Sequence, residues 1–291
     1  MRFAAFLRAA ATLAIITLTV NCLGRGADIQ FQRPRTNLPA SYLGFDRNDY
    51  PGDASLDALR LTFAFAGYWL NPPPGGTSDS WLGKRVILRS HGFGFLLLFN
   101  GRLDKQIKSS RDPKFLGASD ARDAVAAAKK EGFSAGATIF LDQEEGGRML
   151  PEQLAYLYAW IDAVNASSYR AGIYCSGIPA RDGQTQIITA NDIREHAGNR
   201  KIAFFIYNDA CPPSPGCAFS TGARSLAPRQ SGVSFAVVWQ FAQSPRRKNL
   251  AAAGASQYSA DGNCYPPLPA GMPNVFVDLD VATSPDPSSG R

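Results

Sequence analysis

Apolar residues along this chain gather into short runs, separated by stretches with helical spacing. The runs are Tyr42–Asp46, Leu61–Leu70, Gly94–Phe99, Gly136–Leu141, Arg170–Cys175, Lys201–Tyr207, Phe235–Phe241 and Asn274–Val281. Most are continuous, not alternating, which marks strands covered on both faces, as in parallel sheets flanked by helices. Between them Pro151–Val164 carries Leu154, Leu157, Tyr158, Ile161 and Val164 at steps of three and four, and Pro151 suits a first helical turn. The alanine-rich Ser119–Glu131, stopped by Gly132, also reads as a helix. So do Thr189–Gly198 and Ser78–Ser90, the latter with Ser78 as N-cap and Gly92 just past its end. Eight such strands in an α/β alternation predict a TIM-like (β/α) barrel, whose usual size is about 250 residues. An open doubly wound sheet is the rival, although no G-x-G-x-x-G follows the first strand. No helical pattern separates strands six and seven or seven and eight, so the barrel should be irregular in its last two connections.

The first 40 residues stand outside this pattern. Arg2 and Arg8 precede the apolar run Ala9–Val20, which is short for a membrane span and reads as an export signal within residues 1–26. Cys22 just after it opens a second reading, a lipoprotein signal with a lipid anchor at Cys22, although Asn21 is a poor neighbour for one. Residues 27–40 read as a linker, 41–282 as the barrel, and the Pro/Ser-rich 283–291 as a flexible tail. Export places the protein in the periplasm or outside the cell, where disulfides persist. Of five cysteines, four lie beyond the signal, and Cys211 and Cys217 bracket a Pro-rich loop that a local disulfide would close. Cys175 falls in a strand and reads as a core thiol.

Composition refines the picture. Hydrophobic residues make up 45% and charged residues 19%, enough to bury a core and too apolar for disorder. The formal charge of +6 hints at an anionic partner. Residues 1–26 hold three basic residues and no acid, so their removal leaves 27 basic against 24 acidic residues and weakens the hint. Arg246-Arg247-Lys248 is one short basic run and reads as a solvated loop, so no nucleic-acid partner is expected. With only His91 and His196, a multi-histidine metal site is excluded. No metal or cofactor is expected, and the chain reads as a monomer.

The candidate chemistry is acidic. Barrel enzymes work at the C-terminal ends of their strands. Asp46 ends strand one, Asp142 and Glu144 end strand four, and Asp278 and Asp280 end strand eight, next to strand one when a barrel closes. Asp142 and Glu144 share a face, about 6.5–7 Å apart along the strand. Two such carboxyls cannot both ionise freely, and a carboxylic acid kept protonated near neutral pH is the proton donor glycosidic cleavage requires. Glu144, longer and further out, suits that acid, and Asp142 suits a charge stabiliser. By spacing alone the pair is a weak signal, since acids after a strand often cap the next helix or merely face solvent.

Five segments in order sharpen this: Gly44-Phe45-Asp46, Asp142-Gln143-Glu144, Gly172-Ile173-Tyr174, Trp239-Gln240-Phe241 and Val277-Asp278-Leu279-Asp280. Together they resemble the barrel of the family 25 glycoside hydrolases, which cleave peptidoglycan as muramidases. The chain is more similar still to the DUF1906 glycoside hydrolase-like domains. The resemblance runs from about Ser41 to Ala282. It implies Glu144 as general acid, Asp142 as its partner, and Asp46 and Asp278 as flanking acids, Asp278 being chosen over Asp280 on this ground alone. It implies a sugar site in which Tyr68, Trp69, Tyr174, Trp239 and Gln240 meet the substrate, with core packing the alternative for each aromatic. The expected function is cleavage of bacterial cell-wall glycan. The alternative is a non-catalytic glycan-binding barrel. The NPPPGGT loop after strand two departs from the muramidase pattern, as do the long loops around Cys211–Cys217 and Pro245–Pro269.

Overall fold

A computed structural model of the protein describes residues 41–210, 214–219, 226–248 and 257–291. Residues 1–40 lie outside it, and with them the segments read as export signal and linker, and Cys22.

Among the described residues eight strands close into a barrel. They are β1 (Tyr42–Asp46), β2 (Phe65–Trp69), β3 (Gly94–Asn100), β4 (Thr138–Asp142), β5 (Arg170–Ser176), β8 (Ala203–Tyr207), β9 (Val238–Ala242) and β10 (Asp278–Ala282). The short strands β6 (Ala180–Asp182) and β7 (Thr185–Ile187) form a separate hairpin. From β1 through β9 the barrel neighbours run parallel, while β10 is antiparallel to both β9 and β1. This corrects the expectation that Asp278 and Asp280 end a parallel strand: they open a reversed one. Because β10 runs backwards, its first residue lies level with the last residue of β1, Asp46 opposite Asp278. The acids therefore still reach the mouth, by the opposite end of the strand.

The helices are α1 (Leu56–Thr62), α2 (Arg85–Ser90), α3 (Asp104–Lys108), α4 (Pro113–Lys130), α5 (Pro151–Asn165) and α6 (Thr189–His196). The first residues of the expected second strand belong to α1, where Leu56 and Leu59 are buried and Leu61 faces solvent. The helix expected over 78–90 forms only from Arg85: Asp79 accepts the Trp81 N–H in a turn, and Gly83, at φ 78°, sits in the left-handed region that breaks a helix. Helix α4 starts on Pro113 with Asp112 accepting the Phe115 N–H, and α5 starts on Pro151 with Gln153 accepting the Leu150 N–H. Among the described residues no α-helix falls between β8 and β9, where Pro228–Ser231 forms only a short 3-10 turn, or between β9 and β10, as the sequence pattern indicated.

Inward side chains fill the barrel below its mouth. Phe65, Phe140 and Phe205 are buried there, Phe140 meeting Phe205 edge-on at 6.1 Å. Glycines on neighbouring strands clear space for them: a Cβ on Gly44 would lie 2.2 Å from the Phe65 ring, and one on Gly172 would lie 2.4 Å from the Phe140 ring. The opposite end is closed by the tail, read in sequence as flexible. Instead Ser288 is fully buried, donates its N–H to the Phe95 carbonyl and accepts the Thr138 N–H on its own carbonyl, wedged between the starts of β3 and β4. Asp286 accepts the Phe95 N–H as well. The unpaired backbone groups at that end explain why a Pro/Ser-rich segment docks.

Cysteine pairing also differs from expectation. Cys217 is bonded to Cys264 across 47 residues of sequence, so it does not close a local loop with Cys211, which itself lies outside the described residues. Cys175 is a free, buried thiol.

Candidate functional site

The C-terminal ends of the parallel strands surround a cavity of about 410 Å³. Asp46 from β1, Asp142 and Glu144 from the end of β4, and Asp278 from β10 all line it, with Trp69, Tyr174 and Gln240. Alternation puts these residues on inner faces: Asp142 pairs with Tyr174, and Tyr207 with Gln240. The same alternation turns Tyr68 and Trp239 outward, against the expectation that they meet substrate. Tyr68 is fully buried among Trp81, Phe95 and Phe133, and its hydroxyl donates to Glu131. Trp239 packs on Phe241 and donates Nε1–H to the Asn208 carbonyl at 2.8 Å. Gly67 makes room for Asp46, since a Cβ there would stand 2.5 Å from the Asp46 Cβ.

Hydrogen bonds hold the acids in place. Gln240 Nε2 donates to Asp46 Oδ2 at 2.8 Å and to Asp278 Oδ2 at 3.4 Å, joining the two carboxyls through one amide. Tyr174 in turn donates its hydroxyl to Gln240 Oε1 at 2.8 Å. The Ser244 N–H donates to Asp278 Oδ1 at 2.6 Å, and Ser244 Oγ accepts the Cys264 N–H at 2.9 Å. The disulfide is thus one residue contact removed from an acid of the mouth. Glu145 points the other way, accepting the Asp104 N–H that opens α3 and the Gln153 amide of α5. One acid of this loop does serve helix starts, as acids after strands often do.

Electrostatics follow from burial and crowding. Asp142 lies beneath the surface with Oδ1 unpartnered, and burial, then Glu144 and Asp46, push its pKa well above the usual carboxylate range. Glu144 stands at the exposed rim, yet the cavity walls around it desolvate it enough to raise its pKa, while its hydrogen bond to Asp142 opposes the rise. The two carboxyls therefore titrate as a pair, with burial raising both and Glu144 adding to the rise at Asp142. Asp46 is pushed up to about 6, by burial first, against the hydrogen bonds of Gln240 and Asp280. Asp278 is raised well above its usual range by burial and by Asp46. Neither histidine lines the cavity: His91 meets Asp57 and His196 meets Asp192.

Residues that sequence reading passed over complete the mouth. Phe276, 39% exposed, forms part of the rim, with the Arg47 guanidinium 5.1 Å over its ring. Its position inside a run read as strand hid it, and its neighbourhood to Asp278 was the available signal. Arg247, read as part of a solvated basic loop, is instead paired with the fully buried Asp209.

Residues 86–196 match the family model of the Rv2525c-like, glycoside hydrolase-like domain, a stretch that includes Asp142-Gln143-Glu144 and Gly172-Ile173-Tyr174. No curated protein matches the chain. Among solved structures, an uncharacterized B. stearothermophilus protein is similar at 16% identity and TM-score 0.51, over 83% of this chain and 95% of that one. The Mycobacterium tuberculosis Tat-secreted protein Rv2525c, crystallised with L-tartrate, is similar at 12% identity and TM-score 0.47, over 84% of this chain and 95% of that one. The modular autolysin LytC of Streptococcus pneumoniae, in complex with a synthetic peptidoglycan ligand, is similar at 12% identity and TM-score 0.44, over 83% of this chain and 46% of that one.

Proposed function

From a glycoside hydrolase-like domain on residues 86–196, we propose that the protein is an exported glycosidase of bacterial cell-wall glycan, with peptidoglycan as substrate and Glu144 as proton donor. One observation carries the reading: acids from β1, β4 and β10 line one cavity, and crowding and burial raise their pKa values. Glycosidic cleavage needs a carboxylic acid still protonated near neutral pH, beside carboxylates that face the sugar. The Asp142–Glu144 pair supplies the proton. Glu144, the exposed member, delivers it to the leaving oxygen. Asp142 is then left ionised beneath the ring, where positive charge develops. Asp46 and Asp278, tied by Gln240, flank the site, and Trp69 and Tyr174 wall it. The Cys217–Cys264 bond supports export to an oxidising compartment.

The test is release of new reducing ends from purified peptidoglycan. Glu144→Gln should lower the rate about 10²–10⁴-fold, the usual share of a positioned acid. Equal release by both proteins would remove Glu144 from the chemistry. A second reading, a glycan-binding barrel without catalysis, is favoured by the exposed Phe276 ring at the rim. It predicts no reducing ends, with cell-wall pull-down that survives Glu144→Gln and weakens with Phe276→Ala.

A further inference from the structure

Asp280 has no part in the chemistry above, yet it is the most confined acid of the barrel. It is fully buried on the inner face of β10, opposite Gly44 of β1 and Gln240 of β9. Among the described residues neither carboxyl oxygen meets an N–H or O–H donor. An ionised carboxylate in that position would lie buried, unpaired and unsolvated, so its charge must be cancelled. A cation does not fit. Among the described residues Arg47 is the one base lining the cavity, and it lies beside Asp49 and Asp278. Among the described residues no group of three His, Cys, Asp or Glu is placed to hold a metal. A proton remains. Once protonated, Asp280 has an O–H to give, and the acceptor it faces is the Asp46 carboxyl.

We propose that Asp280 is a positioning residue, a carboxylic acid that stays protonated and donates a hydrogen bond to Asp46, keeping Asp46 ionised and turned to the cavity. Asp46 then receives two donors, Gln240 from β9 and Asp280 from β10. The groups that face this pair are Arg47 just after β1, Asp142 and Glu144 at β4, Tyr174 on β5 and Asp278 on β10. Burial first, then Asp46 and Asp278, raise the pKa of Asp280, the direction the geometry requires. The importance of Asp46 for turnover rests on the glycosidase reading, but the hydrogen bond does not.

The experiment compares the full chain with Asp280→Asn, which keeps a donor and removes the proton, and with Asp280→Leu, which removes both. Carbon-13 NMR titration of the aspartate carboxyls and the pH profile of reducing-end release are read on each. A carboxyl that stays protonated through neutral pH in the wild type should be missing from the Asp280→Asn spectrum. The Asp46 titration should hold in Asp280→Asn and move up by about one unit in Asp280→Leu. The acidic limb of the release profile should move with it. An Asp280 carboxyl ionised at pH 6, or an Asp46 titration unmoved in Asp280→Leu, overturns the proposal. Should Asp280→Leu not fold, the missing protonated carboxyl in Asp280→Asn decides alone. Absence of release by the wild type would strike the glycosidase reading, and the NMR titration would still decide the role of Asp280.

Discussion

Trp69 and Trp239 carry the same indole into opposite surroundings, and a single step of strand parity decides which. Trp69 shares its face with Asp46 and lines the cavity, whereas Trp239 lies one position from the inward Gln240 and is locked outside the barrel. Trp239→Ala should therefore cost about 3–5 kcal/mol of stability, as buried Trp-to-Ala changes do. Urea denaturation measures this, and glycan affinity per folded molecule should hold. Phe276→Ala should do the reverse, weakening glycan binding by about 1 kcal/mol in a pull-down or titration with little loss of stability. The mouth also sets a pH dependence. Asp46, Asp142, Asp278 and Asp280 all have folded pKa values above their unfolded ones, so the native state binds more protons. Their contribution to stability is full below about pH 4, the unfolded value. It falls as pH rises through the folded values, beginning with Asp46 near 6. Tm should drop between pH 5 and 7, and Asp280→Asn should flatten the drop. A Tm that climbs over this window would contradict the assigned directions. The acids Asp46, Asp142, Glu144 and Asp278 were legible because each borders an apolar run. Phe276 was not, since nothing in a run of apolar letters separates a rim ring from a core ring.

At the scale of elements, the glycines of the recurring segments have a packing role. Gly44 and Gly172 stand where neighbouring strands bring Phe65 and Phe140 against the backbone. Gly172→Ala would force the Phe140 ring aside and should cost about 1–3 kcal/mol, the usual range for overpacking, measured by chemical denaturation. Strand existence was legible throughout, because two-sided burial writes continuous apolar runs. Strand direction was not. The run ending in Val-Asp-Leu-Asp has the same letters whether it rises or descends, and only its hydrogen bonds to β1 and β9 show that it descends. The start of β2 was misplaced for a related reason. Leu56, Leu59 and Phe63 bury an amphipathic turn whose apolar residues adjoin those of the strand.

The whole molecule depends on two long-range ties. The Cys217–Cys264 bond joins segments 47 residues apart, and through Cys264 and Ser244 it leads to Asp278. Closing a loop of that length is worth about 4 kcal/mol in the chain-entropy model. Reduction should lower the denaturation midpoint accordingly and weaken any activity that needs Asp278, a loss that Cys217→Ser should reproduce without reductant. The second tie is the tail at the far end of the barrel, where a Cβ on Gly94 would lie 2.0 Å from the Pro285 carbonyl oxygen. By itself the sequence determined the α/β alternation, the eight strands, the irregular last connections and which acids border the strands. Those are local properties, written in the period of burial and in the residue types at strand ends. The tertiary structure decided the direction of β10, the cysteine partner, the docking of the tail and which aromatics face the cavity. Each depends on residues far apart in the chain being brought together, and no short window of sequence carries that information.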